Sequence, residues 1–287
     1  MTYFDAHTHV FAESQRLRRH TIATTDPTFA AIYGDPAATV ATATDLIETL
    51  DRDGFTGAVT AGFAFTRQPE LDAQNQALLR AAHDYRGRIV PLATINPSLS
   101  SWRTDAEHLL ASGARGFGEL RPGNQGWDPL GAAAHELCEL AAAFGAALLW
   151  HCSEPVGHAY PGKHGGIGPA ELVQLALDHP STTMIAAHAG AGASFYLQMP
   201  EVAAAIEALY WDTAAVSLLY DEKTVSRLVD LAGPKHVLFG SDYPLLSPRR
   251  NVQRVARGLP DPAVREAVCG GNAVSLFLQN IPPEFPA

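Results

Sequence analysis

Two histidines near the N-terminus are the first residues whose types and spacing indicate chemistry. His7 and His9 lie two apart at the end of the apolar run 3–10. In an extended chain such residues point to the same face, about 6.6 Å apart along the backbone. Two imidazoles on one face can converge on one metal ion, although the pair alone fits a chance surface pair equally well. The rest of the chain must supply further ligands.

Residues of metal-binding types also stand at the ends of several later apolar runs. The candidate ligands are His7, His9, Glu119, His151, His188 and Asp242. Chance alone rarely places such residues at five of eight predicted strand ends. The set is therefore a stronger indication of a metal site than any one of its members.

Eight strand-like runs that alternate with helices must position these side chains. The predicted strands are 3–10, 57–63, 89–95, 115–120, 147–152, 183–188, 209–213 and 236–242. Their apolar runs are continuous, as parallel strands buried on both faces require. An open doubly wound sheet usually carries a glycine-rich loop after strand one, where this chain has His7-Thr8-His9. We therefore predict an α/β fold, a single-domain (β/α)8 TIM barrel over residues 1–287, with reactive residues at the carboxyl ends of its strands.

Two connections are placed to cover the mouth of such a barrel. Residues 11–35 form a long polar connection after strand one, interpreted as a lid or as a disordered segment. Residues 153–167 form a loop rich in glycine and proline after strand five. Its side chains His158, Tyr160 and Lys163 are candidates for substrate contact, although an ordinary surface loop explains each of them as well.

Composition restricts the partners. The formal net charge of −10 argues against nucleic acid, because phosphate binding requires clustered Lys and Arg. No apolar run reaches 18 residues, so we expect no membrane span, and no signal peptide fits before His7. Three scattered cysteines do not form a disulfide framework. These observations predict a cytoplasmic protein with a small-molecule substrate.

Four motifs resemble the amidohydrolase superfamily, in its amidohydrolase-related branch of metal-dependent barrel hydrolases and decarboxylases. They are Phe4-Asp5-Ala6-His7-Thr8-His9, Leu149-Trp150-His151, Ala186-Ala187-His188-Ala189-Gly190 and Phe239-Gly240-Ser241-Asp242-Tyr243-Pro244. The resemblance implies a divalent ion, usually zinc, whose ligands would be His7, His9, His151 and Asp242. His188 would be a catalytic residue or a ligand to a second ion. Barrels of this type often dimerise, so a homodimer is also expected.

Several of these residues keep a second interpretation. Glu119 is either a ligand that bridges two ions or the partner of Arg121, two residues along the chain. Arg121 or Lys163 would hold a substrate carboxylate. His188 also fits a helix cap, and Asp242 fits a turn before Tyr243-Pro244.

Three functions follow from these expectations. The first is hydrolysis of an amide, ester or lactone bond in a small anionic molecule, with Asp242 accepting the proton of an activated water and His188 polarising the carbonyl. The alternative is non-oxidative decarboxylation of an aromatic or unsaturated acid. The third is a metal-free protein in which the histidines form a relay. Spare capacity for a second ion at Glu119, together with the cationic loops, favours hydrolysis.

Overall fold

Eight parallel strands form the framework of the computed structural model, which describes residues 2–279. β1 to β3 pair in one run and β4 to β8 pair in another, each strand with the next in the sequence. The strands are β1 Tyr3–His9, β2 Phe55–Ala61, β3 Ile89–Leu92, β4 Gly116–Leu120, β5 Ala147–Trp150, β6 Met184–Ala186, β7 Leu209–Asp212 and β8 Val237–Leu238.

Backbone hydrogen bonds across two seams close these runs into a barrel. Ala93, just after β3, donates to Gly116 O at 2.9 Å and accepts from Gly118 N at 3.0 Å. At the other seam, Ala6 N donates to Phe239 O at 2.7 Å, and the end of β1 also pairs with the segment after β8. The predicted (β/α)8 barrel is thus confirmed, and the open doubly wound sheet is excluded.

Helices alternate with the strands as the apolar periodicity predicts. Gly54 and Gly145 end two of them in left-handed conformation, with φ of 80° and 60°. The helices are α1 Glu13–Leu17, α2 Arg19–Ala23, α3 Pro27–Tyr33, α4 Ala43–Asp53, α5 Gln68–Asp84, α6 Trp102–Ala111, α7 Pro122–Gln125, α8 Ala132–Phe144, α9 Pro169–Asp178, α10 Pro200–Ala205, α11 Val216–Leu219, α12 Thr224–Ala232, α13 Pro248–Gly258, α14 Pro262–Glu266 and α15 Asn272–Phe277. Within residues 2–279, none has both the length and the apolar character that a bilayer crossing requires.

Apolar side chains fill the interior of the barrel. Side chains from β1, β2, β3, β5, β6 and β8 form one buried cluster that also includes Phe277 of α15. A larger cluster lies between the strands and the surrounding helices. The interior of such a barrel is a packed core rather than a pore, so its reactive groups gather at the carboxyl end of the strands.

The segment 11–35 differs from the expected irregular connection. It contains α1, α2 and α3, and its residues Phe11, Ile22 and Phe29 are buried against Phe63 and Phe65. Asp26 caps α3, because its Oδ1 accepts the amide of Phe29 at 2.9 Å. Phe11 precedes α1, Ile22 lies in α2 and Phe29 in α3, so the three share no single helical period that the sequence could display.

Candidate metal centre

The carboxyl end of the barrel brings the six predicted ligands into two groups of three. In each group, the ligand atoms lie within 4.8 Å of one another. The first group is His7, His9 and Asp242, and the second is Glu119, His151 and His188. The groups adjoin, because His7 Nε2 lies 3.7 Å from Glu119 Oε1. Residues distant in the sequence therefore share one mouth, as the barrel prediction requires.

In the first group, nitrogen and oxygen atoms face each other across a short gap. His7 Nε2 lies 3.0 Å from His9 Nε2, and His9 Nε2 lies 3.3 Å from Asp242 Oδ1. The second ring nitrogen of His7 is held from behind, because Nδ1–H donates to Oδ2 of Asp212 at 2.7 Å. A carboxylate behind an imidazole fixes its tautomer and raises the basicity of the inner nitrogen, which is typical of metal-binding histidines.

Asp212, at the end of β7, is a site residue that the sequence interpretation missed. It is fully buried, and its Oδ1 accepts the backbone amides of His188 and Ala214 at 2.9 and 3.0 Å. One carboxylate thus orients His7 and anchors the segment that carries His188. Its position at a predicted strand end was the available signal.

The second group is arranged around Glu119. Its Oε1 lies 2.8 Å from His151 Nδ1 and 3.2 Å from His188 Nε2, and these two nitrogens are 3.2 Å apart. The outer nitrogens contact backbone carbonyls, His151 Nε2 that of Gly162 and His188 Nδ1 that of Ala214, both at 2.9 Å. A carbonyl can only accept, so the outer nitrogens carry protons; in the neutral imidazoles that a metal ion requires, the inner nitrogens then present lone pairs.

This donor set fits a divalent cation. In the second group, two imidazole nitrogens and a carboxylate oxygen converge at 2.8 to 3.2 Å, which is repulsive unless a metal ion or a proton lies among them. The first group offers the same chemistry, with two imidazoles and one carboxylate. Neutral imidazole and carboxylate are ordinary ligands of zinc, and carboxylates also suit manganese.

The pKa values of two histidines also indicate that the site attracts positive charge. Burial works to lower the pKa of His7, but the charge and hydrogen bond of Asp212, with the charges of Glu119 and Asp242, raise that pKa to about 10. Burial also works to lower the pKa of His188, but the hydrogen bond and charge of Glu119 outweigh burial and raise that pKa to about 9. Without a metal, the surrounding carboxylates therefore draw protons onto these imidazoles.

The remaining groups are held in the states that metal binding needs. Burial and the charge of Arg121 lower the pKa of His151 to about 4, which keeps its imidazole neutral. Burial alone would raise the pKa of Asp242, but the hydrogen bond from His9 and the charges of His7 and His188 lower it to about 2. Burial alone would raise the pKa of Glu119, but the histidines around it, among them His188 and His7, lower it well below its usual range.

Both His188 and Asp242 lie beyond their strands, in left-handed backbone conformation. β6 ends at Ala186 and β8 at Leu238, earlier than the predicted ends at 188 and 242. The φ angles of His188 and Asp242 are 59° and 63°, and left-handed conformation continues through 189–192. Non-glycine residues adopt this region at a cost, and such residues cluster at functional sites.

The predicted substrate contacts have different surroundings. Arg121 is buried, and its Nη2 donates to the carbonyls of Gly162 and His164 at 2.7 and 2.6 Å rather than to Glu119. Its Nε is buried without a hydrogen-bond partner among the described residues. Lys163 directs its ammonium group at the carbonyls of Val156 and His158, so its predicted substrate contact stays a prediction that this geometry does not favour.

Tyr160 and His158 lie on the outer part of the same loop. The Tyr160 hydroxyl donates to Oε2 of Glu154 at 3.0 Å, and Tyr220 donates to Oε1 of the same carboxylate. His158 is exposed, with its ring 5.7 Å from that of Tyr160. Within residues 2–279, neither side chain hydrogen-bonds to the two ligand groups, so their roles as substrate contacts stay predictions.

Comparison with models of protein families assigns the chain to one family. The family model described as Amidohydrolase matches residues 4–278, nearly the whole chain. The chain belongs to the amidohydrolase family. The resemblance recognised in the four sequence motifs is thereby confirmed. No curated protein matches this amidohydrolase.

Solved structures with the same fold include several decarboxylases. The chain is similar to a 5-carboxyvanillate decarboxylase from Sphingomonas paucimobilis, with a TM-score of 0.77, 17% identity, and coverage of 96% of this chain and 98% of that one. It is similar to a manganese complex of 5-carboxyvanillate decarboxylase from Novosphingobium aromaticivorans, with a TM-score of 0.72, 16% identity and 96% coverage of each chain. A third is a manganese-bound dihydroxybenzoic acid decarboxylase from Polaromonas, with a TM-score of 0.70, 13% identity and 98% coverage of each chain. At these identities the likeness shows the fold.

Proposed function

We propose that this amidohydrolase is a metal-dependent decarboxylase of a small aromatic or unsaturated carboxylic acid. The observation that carries the choice of substrate is the buried guanidinium of Arg121, whose Nε lacks a partner within residues 2–279. A buried donor of this kind needs an acceptor, and a carboxylate matches the fork of an arginine. The named activities of the similar folds support the choice of reaction. It is the alternative, rather than the first, of the functions inferred from the sequence.

An aromatic wall beside the ligand groups supports an aromatic acid. Tyr33, at the end of α3, packs its ring 4.9 Å from that of Phe11 and 5.9 Å from that of Phe63. Burial raises the pKa of Tyr33, and the negative charges of Asp242 and Glu119 raise it further, so this ring lies near the metal centre. Planar rings favour stacking and edge contacts with such side chains.

The residues divide the work as follows. A bound divalent ion would supply a Lewis acid for a substrate oxygen and, for hydrolysis, would lower the pKa of water from 15.7 to about 7. Arg121 orients the acid, and the six ligand side chains hold the ion or ions. Loss of carbon dioxide leaves an electron pair on carbon, which takes up a proton from His188, since the raised pKa of His188 keeps it protonated when it holds no ion. Water then returns a proton to His188.

Hydrolysis is the second candidate, and one observation favours it. Glu119, His151 and His188 form a second ligand group beside the first, which gives capacity for two ions. In that case Asp242 accepts the proton of the attacking water and passes it to the leaving group. Zinc suits this set of histidines, whereas manganese is the metal named for two of the similar structures.

The test is a product assay on protein loaded with zinc or manganese. Dihydroxybenzoates and carboxyvanillate are supplied with a carbon dioxide trap, and aromatic esters, amides and lactones are supplied in a pH-stat. Decarboxylation predicts carbon dioxide release that is lost in His7→Ala together with bound metal. Turnover of the esters, amides or lactones with no carbon dioxide from the acids would favour hydrolysis. Full activity of His7→Ala with full metal content would refute both.

A further inference from the structure

The loop 153–167 is closed at its base and lies against the second ligand group. Ser153 N donates to Ile167 O at 3.0 Å, and Ile167 N donates to His151 O at 2.9 Å. Gly123 N, from the helix after β4, also donates to Gly165 O at 2.9 Å. The loop is therefore fixed at both ends, and Gly165 near its second end is also held by the helix after β4.

Lys163 is the centre of this loop. Only 8% of its surface is exposed, and Nζ donates to Val156 O and to His158 O at 2.9 Å. The ammonium also lies 5.7 Å from the centre of the Tyr160 ring, whose hydroxyl is bonded to Glu154. A buried ammonium is costly unless its donors are used, so these contacts hold the two sides of the loop together.

The carbonyl of the preceding residue reaches the metal centre. Gly162 O accepts Nε2–H of His151 at 2.9 Å and Nη2–H of Arg121 at 2.7 Å. With its proton on Nε2, neutral His151 directs the lone pair of Nδ1 at Glu119 and His188. The opposite tautomer would place a proton between these ligand atoms and leave Gly162 O without this donor.

We propose that Lys163 is a positioning residue for the metal centre. It holds the loop 153–167 in the shape that presents Gly162 O to His151, and this carbonyl commits His151 to the tautomer whose Nδ1 is free to bind metal. The inference rests on the proposed function only in taking His151 as a ligand. It assigns Lys163 a role distinct from the substrate contact that the sequence suggests.

The first test reads the tautomer directly in metal-free protein. Long-range proton–nitrogen NMR of ¹⁵N-histidine protein distinguishes Nδ1–H from Nε2–H, and His151→Asn assigns the signal. We expect the Nε2–H form of His151, which donates to Gly162 O, to be populated in the wild type and in Lys163→Arg, and its share to fall in Lys163→Met in favour of the Nδ1–H form, which donates to Glu119. Lys235→Met, a change at an exposed lysine, is the matched control. An unchanged tautomer in Lys163→Met overturns the proposal.

The second test measures Co²⁺ affinity by competition with a chromophoric chelator. Binding that depends on His151 is identified by its loss in His151→Asn, and we expect Lys163→Met to weaken it about tenfold, as loss of support behind a ligand does. Binding that survives in His151→Asn should change less than about twofold. Equal weakening of all binding in a folded variant would indicate general damage and overturn the proposal.

Two further outcomes are separable. If Lys163→Met does not fold, Lys163→Gln is the variant to measure, because its side chain keeps one donor group. We expect its tautomer ratio and Co²⁺ affinity to lie between those of the wild type and a variant without a donor. Wild-type values in Lys163→Gln would overturn the proposal. Wild-type protein that binds no Co²⁺ would defeat the proposed function, whereas equal binding by wild type and Lys163→Met defeats only the positioning role.

Discussion

The two ligand groups face the same mouth but are supported in different ways. Behind the first stand buried carboxylates of the barrel, namely Asp212 of β7 and Asp5 of β1. Behind the second stand backbone carbonyls, that of Gly162 in the loop 153–167 and that of Ala214 just after β7. Carboxylates carried by strands are fixed by the fold, whereas the carbonyl of Gly162 is in place only when its loop is closed. The comparison teaches that the first group is preformed and that the second is conditional on the loop.

The largest effect should come from removing the carboxylate behind the first group. In Asp212→Asn, the amide neither carries the charge that makes His7 basic nor enforces its tautomer. We expect the metal affinity of the first group to fall about 100-fold, the upper end of such effects. Titration of metal-free protein with Zn²⁺ measures this, with Asp221→Asn, at an exposed aspartate, as control. Unchanged affinity would show that the first group does not depend on Asp212.

Glu119→Gln should separate the groups. The amide keeps the shape but loses the negative charge that faces His151 and His188, so the second group is left with neutral donors. We expect the number of ions bound per chain to fall by one if the wild type binds two, with the first group weakened less than about threefold. Elemental analysis after dialysis gives the count. An equal loss from both groups would contradict the division made above.

Asp5 makes the support of the first group sensitive to pH. Its Oδ1 accepts the amides of His7 at 3.2 Å and Ser241 at 2.9 Å, while burial raises its pKa from 3.8 to about 7. Folded Asp5 keeps its proton up to about pH 7 and unfolded Asp5 loses it near 3.8, so Asp5 contributes a fall in the free energy of unfolding of up to about 4 kcal/mol as pH rises between these values. The lowered pKa of His151 contributes a rise between pH 4 and 6.5, so the Asp5 contribution is measured as the difference between the wild type and Asp5→Asn.

Urea unfolding of metal-free protein at a series of pH values measures this slope. Asp5→Asn should remove the falling contribution, so that its free energy of unfolding rises relative to that of the wild type between pH 4 and 7, whereas Asp178→Asn, at an exposed aspartate, should leave the wild-type profile unchanged. A constant difference between the wild type and Asp5→Asn over this range would show that Asp5 does not contribute to the pH dependence.

The smallest effect should come from the outer edge of the loop. Tyr220→Phe removes one of the two hydroxyl groups that donate to Glu154, at a cost of about 1 kcal/mol if the loop depends on it. We expect faster hydrogen exchange in 153–167 and a two- to threefold loss of metal affinity in the second group. Tyr210→Phe, outside this contact, serves as control. Weakening of the first group instead would reverse the comparison.

The sequence could predict the barrel and its six candidate ligands because one geometric rule connects them. Parallel strands that close on themselves bring their carboxyl ends together, so residues as distant as His7 and Asp242 meet without any local signal between them. The histidines and carboxylates were visible as types that rarely end apolar runs by chance. Their roles as ligands stay predictions that the geometry supports.

Other features depend on partners that no local pattern reveals. Asp212 at a strand end also fits a turn, and its partner His7 is 205 residues away. Lys163 in a glycine-rich loop suggests a substrate contact, but its own loop supplies two carbonyls within reach. The choice between Arg121 and the histidines as partners of Glu119 is decided by the shape of that loop, which spacing in the sequence does not contain.

The left-handed run that begins at His188 has a consequence for heat tolerance. Ala189 and Ala191 occupy it with φ of 56° and 53°, where an L-residue costs roughly 1–2 kcal/mol and glycine costs far less. Both methyl groups are also buried, so exchange for glycine would relieve the backbone cost but would lose apolar burial and give the unfolded chain more freedom. A lineage adapting to hot conditions would therefore gain little at these two alanines and would find its thermal stability away from the segment beside the histidine.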